Sequence, residues 1–235
     1  FGAIGDDMYY CLYDLDHDAW KLVKHNLVDG QTVVTSMPGT WAYEPWGFAS
    51  IGNTFFFTHY DGTNGHELWK SDGTAAGTVM VKDINAAAYE SGTPGYFTAI
   101  GNTIYFSAND GTHGYELWKS DGTAAGTVMV KDIESGIDSS YPSDFTVAGN
   151  FLYFRADDGV HGDELWKTDG TASGTVMVKD IESGIGSSYP TDFTLAGNLL
   201  YFVANDGTHG KELWKSDGTA AGTVMVKDIR PGIYG

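Results

Sequence analysis

The chain has 235 residues, of which 42% are hydrophobic and 14% aromatic, so it can bury a substantial core. Its formal net charge of −18 repels nucleic acid and anionic membranes and favours cations, which excludes nucleic-acid binding as the expected function. No apolar run approaches the ~20 residues of a membrane-spanning helix, so we expect no membrane insertion. The single cysteine, Cys11, excludes a disulfide framework within the chain.

Internal repetition is the strongest signal in the sequence. One string, Glu-Leu-Trp-Lys-Ser-Asp-Gly-Thr-Ala-Ala-Gly-Thr-Val-Met-Val-Lys-Asp-Ile, begins at Glu67, Glu116 and Glu212, and a nearly identical copy begins at Glu164. Aromatic residues open five repeats at spacings of 47, 49, 48 and 48 residues: Phe1, Phe48, Phe97, Phe145 and Phe193. We therefore divide the single expected domain, 1–235, into repeats at 1–47, 48–96, 97–144, 145–192 and 193–235. The first repeat diverges from the others after about residue 10.

Each repeat is expected to contain four strands, as the third repeat illustrates. Residues typical of strands at 97–100 and 103–108 flank Gly101-Asn102, a dipeptide that favours a tight hairpin turn. The third strand is predicted at 115–120 and the fourth at 127–133, with an Asp-Gly-Thr turn between them. A longer loop over 134–144 then leads to the next repeat.

The strands do not alternate apolar and polar residues as a sheet with one exposed face would. Tyr105 points away from Ile104 and Phe106, and the neighbours Leu117 and Trp118 must lie on opposite faces. Identical sheets stacked around an axis cover both faces of one another. The sequence therefore predicts an all-β fold, a five-bladed β-propeller of four-stranded antiparallel blades. The alternative is that the five repeats form part of a larger propeller or array.

The recurring Glu-Leu-Trp-x-x-Asp-Gly-Thr motif resembles the ELWxxDGT repeat family of long bacterial surface or secreted proteins. The resemblance covers Phe48 to Ile229, where the motif occurs four times, and residues 1–47 depart from it. It implies a secreted or cell-surface protein and implies little about a ligand. Since the first residues show neither an initiating Met nor a signal peptide, we expect the chain to be part of a longer product.

Two segments of the first repeat contain candidate functional residues. Alternating carboxylates that resemble a calcium-binding loop occur at Asp14, Asp16 and Asp18. They predict a Ca²⁺ site, although Ala19 replaces the glycine that such loops need, and a solvated acidic turn is the alternative. Trp41 and Trp46 lie in an aromatic loop, where they would bind a sugar or a partner, or else pack against the first blade.

In a propeller, the loop between the second and third strands emerges on the same face as the loop between blades. An aromatic ring there can cover the apolar face of a sugar while carboxylates and imidazoles bind its hydroxyls. The candidate ligand-binding residues on this face are Asp110, His113, Tyr141, Asp144, Asp158, His161, Tyr189, Asp192, Asp206 and His209. The alternative is turn chemistry, in which each Asp caps its own backbone and the Tyr-Pro segments pack the loops.

The opposite face and the remaining motifs point away from catalysis. We interpret the recurring Asp-Gly-Thr turns as hairpin geometry, because the residues around them are turn formers. The sequence has no Gly-x-Ser-x-Gly elbow, His-Glu-x-x-His motif or phosphate loop. Its polar loops are copied with the repeats, whereas an enzyme usually concentrates its chemistry at one place. We therefore predict that the protein is not an enzyme.

These features together predict a non-catalytic extracellular binding or adhesion module. The expected ligand is carbohydrate, either a glycan or a cell-surface polysaccharide, held at several similar sites between blades. Repeated weak sites gain avidity on such a surface. The alternative is a structural or spacer subunit of an extracellular assembly or filament, for which we expect self-association.

Overall fold

The computed structural model describes residues 2–4, 6–17, 19–26, 28, 30–37, 46–87 and 90–233. Twenty strands in these residues form five four-stranded sheets, here named A to E in chain order. Within each sheet, strands that are adjacent in the chain are also adjacent in space. The described residues contain no helix, and so none that could cross a membrane. The predictions of an all-β fold and of four strands per repeat are confirmed.

The bounds of the strands are as follows. Sheet A contains β1 (Gly2–Ile4), β2 (Asp7–Asp14), β3 (Ala19–Asn26) and β4 (Gly30–Met37). Sheet B contains β5 (Trp46–Ile51), β6 (Thr54–Tyr60), β7 (His66–Ser71) and β8 (Val79–Lys82). Sheet C contains β9 (Gly95–Ile100), β10 (Thr103–Asn109), β11 (Tyr115–Ser120) and β12 (Val128–Lys131). Sheet D contains β13 (Ser143–Ala148), β14 (Phe151–Asp157), β15 (Asp163–Thr168) and β16 (Val176–Lys179). Sheet E contains β17 (Thr191–Ala196), β18 (Leu199–Asn205), β19 (Lys211–Ser216) and β20 (Val224–Lys227).

The strands predicted for the third repeat agree with sheet C to within two residues at each end, and the fourth strand is the one that is shorter than predicted. That strand was expected over 127–133 and spans only Val128–Lys131. The residues at its two ends make other bonds, which explains the difference. The hydroxyl of Thr127 donates to the carbonyl oxygen of Thr123 at 2.7 Å, and the N–H of Ile133 donates to the carboxylate of Glu116 at 2.8 Å. Side-chain bonds of this kind compete with the strand ladder.

The chain forms two compact units. The first consists of Phe1–Thr112 and Trp118–Val128, and the second of His113–Leu117 and Met129–Gly235. Sheets A and B belong to the first unit, sheets D and E belong to the second, and sheet C has residues in both.

Each compact unit has an apolar core between two successive sheets. In the first unit, sheet A contributes Tyr9, Trp20, Leu22 and Met37, and sheet B contributes Phe55 and Phe57. In the second unit, sheet D contributes Tyr153, Leu165, Val178 and Ile181, and sheet E contributes Leu200, Phe202, Ala204 and Trp214. All of these side chains belong to strands except Ile181, which lies two residues after β16, so apolar packing between the sheets stabilises the strands.

The prediction that the strands are buried on both faces is confirmed. The successive residues Ile104, Tyr105 and Phe106 expose at most 7% of their surface, although they alternate between the two faces of β10. The repeated tryptophan is buried as Trp118, Trp166 and Trp214, and it is partly buried as Trp69.

The turn between the third and fourth strands is closed by its own side chains. In sheet D, Asp169 Oδ1 accepts the N–H of Thr171 at 2.9 Å and the Thr171 hydroxyl at 2.7 Å. The same hydroxyl accepts the N–H of Gly174 at 2.9 Å. A Cβ at Gly174 would overlap the carboxylate of Asp169, so the turn needs glycine there. These bonds account for the Asp-Gly-Thr motif through local geometry.

Two lysines of the repeated string join sheets B, C and D to the turn of the following sheet, the first lysine in sheets B and D and the second in all three. The first lysine donates to the carbonyl oxygen of the turn glycine: Lys70 to Gly122 at 2.8 Å and Lys167 to Gly218 at 2.7 Å. The second donates to the carbonyl oxygen of the threonine before the fourth strand: Lys82 to Thr127 at 2.8 Å, Lys131 to Thr175 at 2.9 Å and Lys179 to Thr223 at 2.8 Å. We call these bonds the lysine contacts.

The second lysine also lies over the repeated tryptophan of the following sheet. The ammonium group is 5.7 Å from the ring centroid for Lys82 and Trp118, 5.6 Å for Lys131 and Trp166, and 5.7 Å for Lys179 and Trp214. These are cation–π distances. The string therefore supplies both sides of this contact, namely the lysines of one sheet and the turn and tryptophan of the following sheet.

Candidate functional site

The loop that leaves sheet C is held by one buried glutamate. Glu116 is fully buried and is the second residue of β11. Its Oε2 accepts the N–H of Ile133 at 2.8 Å and the hydroxyl of Ser140 at 2.7 Å. Its Oε1 accepts the N–H of Glu134 at 3.4 Å and the N–H of Ser140 at 3.1 Å. One carboxylate thus binds both ends of the loop segment 133–140.

The same arrangement recurs at the other copies of the string. Glu164 accepts four bonds of 2.7 to 3.3 Å from Ile181, Glu182 and Ser188. Glu67 accepts the N–H groups of Ile84, Asn85 and Gly92 at 2.8, 3.4 and 2.7 Å. Glu212 accepts the N–H groups of Ile229 and Arg230 at 3.0 and 3.1 Å. The glutamate that opens the string therefore binds the start of the segment that follows each of sheets B to E.

Burial also changes the acidity of these glutamates. It raises the pKa of Glu67, Glu116 and Glu164 to about 7, while the hydrogen bonds that the loops donate oppose the rise. Glu67, Glu116 and Glu164 are therefore expected to change protonation near neutral pH. Sequence reasoning missed this role. The available signal was a carboxylate that recurs unchanged beside a leucine and a tryptophan expected to be buried.

Tyr141, a predicted ligand-binding residue, directly follows the segment held by Glu116. Its backbone is in the left-handed region with φ 47°, and its N–H donates to the carbonyl oxygen of Tyr115 at 3.2 Å. The two rings stack with centroids 5.8 Å apart and planes 22° apart. Because Tyr141 is 63% exposed, the pair offers an aromatic surface to solvent at this loop.

Tyr189 has the same backbone arrangement in the next loop. Its φ is 45°, and its N–H donates to the carbonyl oxygen of Asp163 at 3.2 Å. It is about half exposed. Asp163 occupies the position of Tyr115, so here an exposed tyrosine lies beside a carboxylate instead of a second ring. The two loops share a geometry and differ in chemistry.

Asp144 and Asp192 are also held at positive φ, 57° and 58°. Residues in this region persist only where their surroundings fix them, and they are frequent at binding sites. Asp144 Oδ2 lies 3.6 Å from Nη1 of Arg155, and Arg155 Nε lies 3.5 Å from Oδ1 of Asp163. Burial raises the pKa of Asp163, and the charge of Arg155 opposes that rise. Arg155 was not predicted, because no other repeat has a cation at its position.

The turn between the second and third strands lies against the loop that leaves the same sheet. A Cβ at Gly114 would be 2.6 Å from the hydroxyl oxygen of Ser139, and a Cβ at Gly162 would be 2.6 Å from that of Ser187. His113 and His161 directly precede these two glycines. The second compact unit therefore brings both histidine-bearing turns next to the loops that contain Tyr141 and Tyr189.

The predicted aspartates of these turns bind within their own turns. Asp206 Oδ1 accepts the N–H of His209 at 2.8 Å, and its Oδ2 is 2.7 Å from His209 Nδ1. Asp158 Oδ2 is 2.8 Å from His161 Nδ1 in the same way. Burial raises the pKa of Asp206, but the hydrogen bonds from His209 outweigh it and hold that pKa well below the ordinary range. The hydrogen bond to Asp206 in turn raises the pKa of His209.

Asp110 follows this pattern with a threonine, since its Oδ1 accepts the N–H of Thr112 at 2.9 Å and the Thr112 hydroxyl at 2.8 Å. These bonds favour turn chemistry as the main role of the three aspartates. The exposed tyrosines remain as the stronger candidates for ligand contact.

The acidic segment of the first repeat forms a hairpin turn. Asp14 Oδ2 pairs with Lys21 and lies 2.7 Å from His17 Nδ1, and its Oδ1 accepts the N–H of Asp16 at 3.0 Å. The hydrogen bond from Lys21 is the main reason that the pKa of Asp14 is well below its usual range. The described residues contain no group of three or more His, Cys, Asp or Glu side chains suited to a metal ion.

Three residues predicted in the first repeat cannot be placed at the site. Asp18 and Trp41 lie outside the described residues. Trp46 begins β5, and its side chain also lies outside the described part of the chain.

Comparison with known proteins identifies the fold and no family. No protein-family profile matches the chain, and no curated protein matches it. A solved structure from a study of two prolyl endopeptidases has a TM-score of 0.55 at 16% identity, over 94% of this chain and 32% of that one. A puromycin hydrolase mutant complexed with PGG has a TM-score of 0.56 at 13% identity, over 95% and 38%. Prolyl oligopeptidase B from Galerina marginata has a TM-score of 0.53 at 12% identity, over 94% and 32%.

The chain thus spans about a third of the length of the solved structures that it resembles. At these identities the likeness concerns the fold alone, and it supports a β-propeller built from repeats.

Proposed function

We propose that the protein is a non-catalytic extracellular binding module that binds carbohydrate through the loops of Tyr141 and Tyr189. The observation that carries the proposal is the stacked pair of Tyr115 and Tyr141. Tyr141 is 63% exposed, and its backbone has a positive φ. An aromatic ring has an apolar face and, in tyrosine, a polar end, which suits the apolar faces and hydroxyls of a sugar.

Polar groups beside the rings support a sugar over a purely apolar ligand. Asp144 and Asp163 provide carboxylate oxygens, and Arg155 lies 3.5–3.6 Å from both. Donors and acceptors placed close to an aromatic surface fix the orientation of a small polar ligand. The loop of Tyr141 and the loop of Tyr189 would form two related sites with different preferences.

Two arguments favour binding over catalysis. The aspartates of the turns accept hydrogen bonds from their own turns, and Glu116 and Glu164 accept hydrogen bonds from the loops around them. The peptidases and the hydrolase that the chain resembles share only 12–16% identity with it, so the likeness concerns the fold alone. Fold likeness does not transfer an activity.

The proposed setting is the cell surface or the extracellular space, which rests on the resemblance to ELWxxDGT repeat proteins. Two or more weak sites on one protein bind a polysaccharide more tightly than either site alone. We further propose that the five sheets are blades of a β-propeller. The recurrence of the lysine contacts in both compact units supports successive blades of one kind.

A glycan array tests the function directly. The full chain is applied with and without a chelator, beside a variant that combines Tyr141→Ala with Tyr189→Ala. We expect binding to one class of polysaccharide and a loss of at least about tenfold in the double variant. Loss of binding with chelator would support a metal in the site.

Tyr96→Ala is the matched control, because Tyr96 is 64% exposed and has φ 58°, yet it stands where the other loops have aspartate. It should leave binding unchanged. Absence of binding to every glycan would overturn the carbohydrate proposal and favour the spacer function.

A further inference from the structure

Sheet E presents a face whose residues are buried in every other copy of the repeated string. Leu213 is 37% exposed, whereas Leu68, Leu117 and Leu165 are 0% exposed. Val226 is 44% exposed, whereas Val81, Val130 and Val178 are 6–8% exposed. Ile229 is 67% exposed, whereas Ile84, Ile133 and Ile181 are 6–7% exposed. Since the residue types are identical, the difference lies in what covers them. We call Leu213, Val226 and Ile229 the uncovered face.

The second compact unit shows what covers this face when it is buried. Leu165, Val178 and Ile181 of repeat four pack in one cluster with sheet E, against residues that include Phe202 and Trp214. The lysine contacts accompany this packing, with Lys179 donating to the carbonyl oxygen of Thr223. The uncovered face therefore corresponds to one side of an interface. Where that face is buried, in sheet D, the next sheet in the chain forms the other side.

The lysines that belong to this half-interface are present on sheet E. Lys215 corresponds to Lys167, and Lys227 corresponds to Lys179. Lys227 is exposed, in keeping with the residues around it. The acceptors that these lysines use elsewhere are carbonyl oxygens of the Asp-Gly-Thr turn, so a matching partner must contain such a turn.

Sheet A cannot provide that turn. Its third and fourth strands are joined over 27–29, whereas those of sheet B are joined over 72–78. The turns that this chain does contain are already in contact with a preceding sheet. A Cβ at Gly73 would overlap the hydroxyl of Tyr9, and the turns of sheets C, D and E accept Lys70, Lys131 and Lys179. A second copy of this chain in the same state would therefore also present no open Asp-Gly-Thr turn between the third and fourth strands of its described sheets.

We propose that the uncovered face binds one further β-sheet of the ELWxxDGT type, with an Asp-Gly-Thr turn and a tryptophan of its own. The argument is continuity with the interfaces inside the chain. The same leucine, valine and isoleucine are buried in the three earlier copies of the string, and only their last copy is exposed. The partner sheet would bury this apolar surface and accept Lys215 and Lys227 through the carbonyl oxygens of its turn.

The first test compares two identical lysines in the chain. Lys179→Met removes a bond to Thr223 and a contact with the Trp214 ring, and it should lower the Tm by roughly 2–4 °C. Lys227→Met should change the Tm by less than about 1 °C, because the partner sheet that we propose its side chain contacts is absent. An equal loss for both variants would mean that the uncovered face is already covered in solution, and it would overturn the proposal.

The second test supplies the partner. A copy of residues 188–233 is fused after Gly235, so that a further sheet can follow sheet E. We expect amide exchange over 213–229 to slow at least about tenfold, and Lys227→Met should now lower the Tm as Lys179→Met does.

A control fusion, in which the appended Asp-Gly-Thr turn is shortened to the length of the 27–29 connection, should lose most of this protection. Equal protection from both fusions, or none from either, would contradict the proposed contact. A Tm of the unextended chain that rises with protein concentration would show that a second copy occupies the face, and would also overturn it.

Discussion

The ring of Tyr141 stacks on the ring of Tyr115, with centroids 5.8 Å apart and planes inclined by 22°. The backbone repeats the contact, because the N–H of Tyr141 donates to the carbonyl oxygen of Tyr115. The stack therefore joins β11 to the loop that leaves sheet C. It makes the exposed tyrosine part of a fixed surface instead of a mobile side chain.

A double-mutant cycle on this pair should give a coupling free energy of about 1 kcal/mol, since stacked aromatic pairs contribute that much beyond area burial. The variants are Tyr115→Ala, Tyr141→Ala and both together, and urea unfolding followed by tryptophan fluorescence gives the free energies. The matched cycle uses Asp163→Ala and Tyr189→Ala, where the backbone bond is the same and the second ring is missing. Coupling no larger at Tyr115 and Tyr141 than at the control pair would rule out a stabilising stack.

Replacing Gly218 should show how closely successive sheets approach. Gly218 has φ 84°, and an added Cβ would overlap the hydroxyl of Tyr153 from sheet D. Gly218→Ala should lower the free energy of unfolding by about 2–4 kcal/mol, because it adds both backbone strain and a clash. Gly197→Ala should cost only about 1 kcal/mol, since Gly197 has φ 62° and open space around it.

The variant Tyr153→Phe separates strain from clash at Gly218. Without the hydroxyl, the nearest ring carbon is 3.4 Å from the added Cβ, so Gly218→Ala should be less harmful in this background. Chemical denaturation of the four proteins provides the comparison. The same loss in both backgrounds would exclude the hydroxyl as the cause.

Much of the fold could be predicted because its determinants are local and repeated. Leu117 and Trp118 are neighbours in a strand and therefore point to opposite faces, so burying both of them requires cover on both faces of the sheet. The lysine contacts were not predicted, because Lys167 and its acceptor on Gly218 are 51 residues apart and nothing in a strand pattern links them.

The candidate site could be predicted only in part, because only some of its determinants are local and repeated. Tyr141 and Tyr189 stood out as aromatic residues in recurring loops, and the structure places both at exposed positions. Their positive φ could not be predicted from the sequence, because it belongs to loops whose preceding serine donates to a carboxylate on a distant strand, Glu116 or Glu164. The predicted roles of Asp158 and Asp206 were less secure, since aspartate in a turn binds its own backbone whether or not a ligand exists.

The left-handed backbone of Tyr189 should reverse the usual order of stability, in which an alanine variant is more stable than a glycine variant. At φ 45° an L-residue is strained by about 1–2 kcal/mol, whereas glycine is not. Tyr189→Gly should therefore be more stable than Tyr189→Ala by about 1 kcal/mol in urea unfolding. At Val176, an exposed strand position, the same pair should show the opposite order. Alanine as the better residue at both positions would contradict the strain.

The buried glutamates should make the protein less stable as the pH rises from about 5 to 8. The pKa of Glu116 and Glu164 is about 7 in the folded chain, above the ordinary value of 4.5. Between these two values the folded state binds more protons than the unfolded state. The contribution is therefore complete below pH 4.5 and is lost as the pH rises through 7.

Other titratable groups also make the stability depend on pH, some between pH 5 and 8 and others outside this range. The raised pKa of His209 acts in the same direction, because its stabilisation is present below the unfolded value of 6.5 and is lost above it. The lowered pKa of His66 opposes it, since burial disfavours the charged ring as the pH falls. The lowered pKa of Asp206 contributes stability above the unfolded value of 3.8, and this is lost only as the pH falls further.

Thermal unfolding across this range tests the assignment to the glutamates. The wild-type Tm should fall by several degrees between pH 5 and pH 8. The double variant Glu116→Gln with Glu164→Gln should have a flatter profile, because the amides cannot titrate. His209→Gln is the control that removes the contribution of one histidine and should leave most of the slope. If the double variant keeps the full wild-type slope, the two carboxyls are already ionised at pH 5 in the folded protein, and the loops are held by charged carboxylates throughout.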